Sequence, residues 1–135
     1  MSAGWKGMTR FVLDAYAWIE YFSASEKGKK AAEIIENESH QIFTSSATLA
    51  EIVSKVLRES RNAQVALNFI YNLSTVMPVT REIAVQAGRI HFETKKKNRD
   101  FGMLDAFVAA TAQTLKAKIL TGDEDFRHFR EVVFI

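Results

Sequence analysis

The sequence predicts an α/β fold in which helices cover both faces of a parallel sheet. Short apolar runs rich in β-branched and aromatic residues alternate along the chain with longer segments of helical period. Strands that alternate with helices in this way pair in parallel and are buried on both faces. The 135 residues include one proline and no low-complexity segment or linker, which favours a single domain.

Five runs have the composition of buried strands. Each is short, and each is rich in the β-branched or aromatic side chains that fit a pleated sheet. The predicted strands cover residues 10–13, 41–43, 76–79, 118–120 and 132–134.

Seven further segments have the character of helices, and residues at their boundaries support them. Thr80 is suited to cap a helix that begins at Arg81, and Ser45 or Ser46 is suited to cap the helix that carries Glu51. The predicted helices cover approximately residues 15–22, 27–38, 47–60, 63–74, 81–97, 104–116 and 124–129.

Composition narrows the possible functions. The absence of cysteine excludes disulfides and thiolate metal sites. The net charge of +2 is compatible with a nucleic-acid partner but does not require one. Asp14 and Glu20 interrupt the first apolar stretch, so we expect no signal peptide, no membrane association and a cytoplasmic location. Residues 1–9 are interpreted as an N-terminal extension.

Acidic residues recur where the predicted strands end. Asp14 follows the first strand, and Asp123 and Asp125 follow the fourth. Glu51 lies about one turn inside the helix after the second strand, and Asp105 opens a strongly apolar helix. Right-handed crossovers place all strand-to-helix turns at one edge of a parallel sheet, which is also where ligands bind. We therefore expect these acids to converge.

Each acid also has an ordinary structural interpretation. Asp14 and Asp123 suit helix N-caps, where aspartate is common. Glu51 within a helix can simply be solvated. Asp105 is more suggestive, because a carboxylate on a largely buried helix needs a partner or a metal.

Convergence of the acids would have chemical consequences. Two carboxylates ~4 Å apart repel each other by about 4 kcal/mol at an effective dielectric of about 20, so a cation, a proton or a basic side chain must lie among them. Carboxylate oxygens select hard ions, namely Mg²⁺, Mn²⁺ or Ca²⁺. None of the histidines lies with the acids at a predicted strand end, so a histidine-rich zinc site is not expected; they are His40, His91 and His128.

Four segments resemble the ordered motifs of PIN domains, and the size of the chain resembles that of VapC toxins. Residues 12–22 are similar to the opening strand and helix of that family. Residues 45–52 are similar to its second, glutamate-bearing motif. The third and fourth motifs are matched by residues 104–112 and 121–126. The resemblance covers residues 10–135.

This resemblance implies a three-layer α/β/α PIN-like fold with a five-stranded parallel sheet. It also implies a Mg²⁺- or Mn²⁺-dependent endoribonuclease, a homodimer, and a VapB-type antitoxin partner. By motif match, the catalytic and metal-binding positions fall on four acids: Asp14, Glu51, Asp105 and Asp123. Asp125 and Thr121 match auxiliary positions, where Thr121 would orient the neighbouring carboxylates.

The mechanistic hypothesis divides these roles. Asp14, Asp105 and Asp123 are expected to contact the metal, which can activate water and neutralise the phosphate. Glu51 is expected to position the attacking water. The basic run at residues 95–99 is suited to RNA phosphates, although lysines there also complement a helix C-terminus.

Four other functions are compared with this hypothesis, and the sequence argues against two of them. A receiver domain is disfavoured because Thr80 and Arg81 follow the third strand, where a phosphoacceptor aspartate is required. A haloacid-type phosphatase needs an acid two residues after Asp14, but Tyr16 stands there. A non-catalytic PIN-like module that binds a partner and a nuclease acting on DNA are the remaining alternatives.

Overall fold

The computed structural model describes residues 8–135 and contains one five-stranded, entirely parallel sheet. The predicted α/β class and strand number are confirmed. The order across the sheet is β3-β2-β1-β4-β5. The strands are β1 (Thr9–Leu13), β2 (His40–Ser45), β3 (Thr75–Met77), β4 (Lys118–Thr121) and β5 (Val132–Phe134). The predicted N-terminal extension falls almost entirely outside the described residues.

Six α-helices and one short 3₁₀ turn connect the strands. The prediction of a helix over residues 124–129 is wrong in type and length, because a single 3₁₀ turn, Glu124–Phe126, stands there before the chain enters β5. The helices are α1 (Ala15–Ser23), α2 (Glu26–Ile35), α3 (Ser46–Arg58), α4 (Ala63–Leu73), α5 (Arg81–Lys95) and α6 (Met103–Leu115).

Helix boundaries follow the predicted caps closely. Thr80 accepts a hydrogen bond from the Ile83 N–H at 3.1 Å and caps α5. Ser45, rather than Ser46, caps α3 by accepting from the Ala47 N–H at 3.2 Å. Because these side chains satisfy backbone donors that have no partner inside the helix, they stabilise each helix start.

The sheet separates two hydrophobic cores. Along β1, Phe11 and Leu13 pack with α1–α4 on one face, whereas Val12 packs with α5 and α6 on the other. This alternation follows from the two-residue period of a strand. A three-layer α/β/α arrangement results, as the sequence predicted.

The order of the strands reverses between β1 and β4. The chain builds β1, β2 and β3 outward in one direction, and then returns through α5 and α6 to place β4 on the other side of β1. The carboxyl ends of β1 and β4 therefore lie side by side at a topological switch point, where α/β folds bind ligands. Within residues 8–135, no helix has the length and apolar character needed to cross a bilayer.

Candidate active site

Asp14 occupies the end of β1 and is almost fully buried, with 5% of its surface exposed. Its Oδ1 accepts a hydrogen bond from the Ala17 N–H at 2.9 Å, so Asp14 is the N-cap of α1. Its Oδ2 accepts a hydrogen bond from the Thr121 hydroxyl. Both oxygens are therefore held by donors within the protein.

Burial raises the pKa of Asp14 to about 7, because the charged carboxylate loses its hydration. The Thr121 hydroxyl and the Ala17 N–H act in the opposite direction, since they stabilise the charged form. The negative charges of Asp123 and Asp105 add to the increase in pKa. The pKa of Asp14 therefore depends on two acids that lie far from it in sequence.

Thr121 joins the two neighbouring strand ends. Its side chain is fully buried at the end of β4, donates to Asp14 and accepts from the Asp123 N–H at 2.9 Å. A hydroxyl can donate and accept at once, so one side chain orients both acidic segments.

Three carboxylates converge beside Asp14. Asp105, Asp123 and Asp125 each offer an oxygen, and these oxygens lie within 4.8 Å of one another. All three residues are half-buried. Asp105 comes from the first turn of α6, whereas the other two flank the start of the 3₁₀ turn after β4.

Each of these three carboxylates is oriented by one donor from the chain. Asp105 Oδ2 accepts from the Gly102 N–H at 2.9 Å, and Asp123 Oδ1 accepts from the Asp125 N–H at 2.8 Å. Asp125 Oδ1 accepts from the Asn98 side-chain amide at 3.1 Å. Among the described residues, no donor binds the second oxygen of any of the three.

Burial also raises the pKa of Asp105, to about 6. The Gly102 N–H lowers it, while the negative charges of Asp123, Asp125 and Glu51 raise it further. The carboxylates therefore repel one another across this site.

Glu51 lies on α3 and is exposed to solvent at the edge of the cluster. Partial desolvation and the negative charge of Asp123 raise its pKa, and Lys55 one turn along α3 lowers it. Glu51 is thus electrostatically coupled to the site, but it lies outside the group of three close carboxylates.

The structure brings in two residues that sequence reasoning missed. Asn98 lies inside the basic run and contacts Asp125, although no sequence pattern distinguishes it from a loop asparagine. Tyr16 packs over Gly122, where an alanine Cβ would lie only 2.2 Å from the tyrosine Cε1. The glycine between Thr121 and Asp123 was a visible signal of such a close approach.

The donor set suits a hard divalent ion. It contains only carboxylate oxygens, the ligands that Mg²⁺ and Mn²⁺ prefer. The ion pairs found between residues 8 and 135 involve none of these acids: they are Lys29–Glu26 and Lys96–Glu93. The acids therefore form a concentration of negative charge that a cation would neutralise.

Residues 11–132 match the PIN domain family, so this chain belongs to that family of nuclease-type domains. No curated protein sequence matches the chain significantly.

Solved structures of toxin–antitoxin proteins share its fold. A DNA-bound VapBC from Salmonella typhimurium is 23% identical with a TM-score of 0.72, and the match covers 95% of this chain and 98% of that one. A toxin–antitoxin complex from Klebsiella pneumoniae is 20% identical with a TM-score of 0.71, with coverage of 90% and 94%. The sarcin–ricin-loop-cleaving toxin VapC20 of Mycobacterium tuberculosis is 19% identical with a TM-score of 0.72, with coverage of 90% and 98%.

Proposed function

We propose that this chain is a Mg²⁺- or Mn²⁺-dependent endoribonuclease that acts as the toxin of a toxin–antitoxin pair. The observation that carries the proposal is the convergence of Asp105, Asp123 and Asp125 beside the buried Asp14. Membership of the PIN family and the shared fold with VapC20, a sarcin–ricin-loop-cleaving toxin, support the same function.

The cation would be held mainly by Asp105, Asp123 and Asp125. The sequence-based hypothesis named Asp14, Asp105 and Asp123 instead. The distances favour Asp125 for direct contact, because its oxygen lies within 4.8 Å of the other two. Asp14 is almost fully buried and lies outside the group of three close carboxylates, so we assign it an electrostatic role and the alignment of Thr121.

A bound divalent ion supplies Lewis-acid chemistry, since it neutralises the phosphoryl oxygens and lowers the pKa of water. The residues of the chain supply orientation and proton transfer. Glu51 is exposed at the edge of the site and has a raised pKa, so it is suited to take a proton from the attacking water. Thr121 holds the two strand ends in register while substrate binds.

The substrate would be held by the basic run beside the site. Lys97 and Arg99 are exposed on either side of Asn98, whose amide reaches Asp125. The backbone of both residues adjoins Asn98, so we expect their charges to be suited to neutralise phosphates of the substrate backbone. Lys96 forms an ion pair with Glu93 and is less available.

A VapB-type antitoxin is the proposed partner, and the fold shared with toxin–antitoxin complexes supports it. A basic side chain of the partner would neutralise the acids in place of the metal. A groove of about 660 Å³ between α1, α2 and α4 offers a docking surface, where Val65 and Phe69 are about half exposed. Exposed apolar residues on α5, Val85 and Phe92, are suited to the proposed homodimer.

The test is an RNA cleavage assay with the purified protein, in Mg²⁺ or Mn²⁺ and in excess chelator. We expect cleavage only with metal. Asp123→Asn keeps the shape of the side chain but removes its charge, so we expect its rate of RNA cleavage to fall by at least about 100-fold. Asp100→Asn serves as the matched control, because Asp100 is an exposed acid nearby that lies outside the cluster.

Each other result has a defined meaning. Cleavage that persists in chelator or in Asp123→Asn would contradict the proposal. Cleavage of DNA in place of RNA would establish the DNA-nuclease alternative. A folded protein that binds an antitoxin but cleaves neither nucleic acid would establish the non-catalytic module.

A further inference from the structure

Asn98 is a buried residue inside an exposed basic segment. Only 5% of its surface is exposed, whereas Lys97 and Arg99 on either side face solvent. A side-chain amide is costly to bury unless its polar atoms are hydrogen-bonded. The contacts of Asn98 therefore indicate why the chain turns it inward.

The two halves of the Asn98 amide make different contacts. Its Oδ1 accepts a hydrogen bond from the Asp100 N–H at 3.0 Å, which closes a local turn. Its Nδ2 donates to Asp125 Oδ1 at 3.1 Å across 27 residues of sequence. The orientation of the amide is dictated by its neighbours, because a backbone N–H only donates and a carboxylate accepts.

The segment that carries Asn98 is firmly attached to the rest of the site. The Asn98 N–H donates to the Thr94 carbonyl at 2.9 Å, and its carbonyl accepts from the Phe101 N–H at 3.2 Å. The Phe101 ring is fully buried and packs against Phe126 and Phe129, with ring centroids 5.9 and 5.5 Å away. These contacts hold the Asn98 backbone in place beside Asp125.

Asn98 donates a hydrogen bond that orients Asp125, just as backbone N–H groups orient the other two acids. Asp105 and Asp123 are each oriented by a backbone N–H, whereas the donor to Asp125 is a side chain. An amide supplies this donor without a positive charge. A lysine in its place would neutralise the acids and compete with a cation.

We propose that Asn98 is a positioning residue that aligns the Asp125 carboxylate for cation binding. This inference rests on the proposed metal-dependent function and assigns a role in it to a residue outside the four acidic motifs. If Asn98 only closed its turn, its removal would not act through Asp125.

A double-mutant cycle separates these two roles. Mn²⁺ alone is titrated by calorimetry into the wild type, Asn98→Ala, Asp125→Ala and the double variant, without RNA. We expect Asn98→Ala to weaken Mn²⁺ binding about 10-fold, as the loss of a residue that orients a metal ligand typically does. In the Asp125→Ala background the same change should alter binding less than about two-fold.

A second variant keeps the turn while it removes the long-range donor. Serine closes the same kind of turn as asparagine, but its hydroxyl is too short to replace the amide at Asp125. We expect Asn98→Ser to remain folded, with a cooperative urea unfolding transition in chelator, and to lose as much Mn²⁺ affinity as Asn98→Ala. Asn37→Ser is the matched control, because Asn37 accepts from the Ser39 N–H at 2.8 Å at the opposite edge of the sheet.

The outcomes distinguish the inference from the proposed function. If the wild type binds Mn²⁺ but Asn98→Ser binds it equally well, the positioning role is wrong and the nuclease proposal stands. Equal losses from Asn98→Ala with and without Asp125 would have the same meaning. If the wild type shows no binding at millimolar Mn²⁺, both the inference and the proposed function fail.

Discussion

The two sides of the candidate site treat their carboxylates differently. At the end of β1, Asp14 is buried, and both of its oxygens accept hydrogen bonds. At the end of β4 and the start of α6, the acids are half-buried and each has one oxygen that no donor of the described chain binds. We refer to these as the closed side and the open side.

Because of this difference, we expect one side to contribute to the stability of the fold and the other to the binding of a ligand. An acid whose two oxygens both accept hydrogen bonds from the protein stabilises the local fold through those hydrogen bonds. A carboxylate with an unused oxygen near two others is available to an ion. The closed side should therefore govern stability, whereas the open side should govern metal binding.

The largest expected effect is on the stability contributed by Asp14. Asp14→Ala removes the cap of α1 and leaves the Thr121 hydroxyl and the Ala17 N–H without a partner, so we expect it to lower the free energy of unfolding by about 3 kcal/mol. Asp105→Asn on the open side should change it by less than about 0.5 kcal/mol, because an amide oxygen still accepts from Gly102. Urea unfolding in chelator at pH 5.5 measures both, and equal losses would remove the distinction between the two sides.

The next effect is a pH dependence that arises on the closed side. The pKa of Asp14 is about 7 in the folded protein, whereas its ordinary value is 3.8. At pH values between 3.8 and about 7 the folded protein binds more protons than the unfolded chain. The stability that Asp14 contributes is therefore greatest below pH 3.8 and is lost as the pH rises through about 7. From pH 5 to pH 8 we expect Asp14 to contribute a loss of about 2 to 3 kcal/mol in the metal-free protein.

Asp14→Asn isolates this contribution, because asparagine does not titrate. The difference in unfolding free energy between the wild type and Asp14→Asn should change with pH in chelator. Mn²⁺ should stabilise the wild type more at pH 8 than at pH 5, since protons no longer compete for the acids. A wild-type-minus-variant difference that stays constant across this range would contradict the raised pKa.

The smallest effect concerns the contact between the two sides, where Tyr16 of α1 covers Gly122. An alanine Cβ at position 122 would overlap the tyrosine ring, and we expect Gly122→Ala to cost about 1 kcal/mol of stability. In a Tyr16→Ala background the cost should fall to near zero. Gly88→Ala on the exposed side of α5 is the control, because nothing lies within 4 Å of its Cβ position and alanine is the better helix former. An equal cost in both backgrounds would show that Gly122 is needed for another reason.

Much of this site was predictable because its residues lie at positions that topology dictates. The ends of β1 and β4 carry Asp14 and Asp123, and parallel strands place such ends at one edge. The predicted hydroxyl at Thr121 lies between these acids. Asn98 was not predictable, because its partner is 27 residues away and its neighbours are ordinary solvent-exposed basic residues.

The degree of burial was less predictable than the position. The apolar sequence around Asp105 indicated a buried carboxylate, but Asp105 lies in the first turn of α6 at the edge of the core and is half-buried. Asp14, which as a helix cap had an ordinary structural interpretation, is the deeply buried acid. Exposure depends on which elements cover a residue, and local sequence carries little information about that.

The amino-acid sequence by itself determined the α/β class, the approximate limits of the strands and helices, and the set of acids at the strand ends. These features follow from local periodicity and from capping chemistry, which act over a few residues. The tertiary structure alone decided that β4 lies beside β1, that Asp125 joins Asp105 and Asp123, and that Asp14 is enclosed. Those outcomes depend on how distant segments pack together, because the position of a side chain in space is set by the elements that surround it.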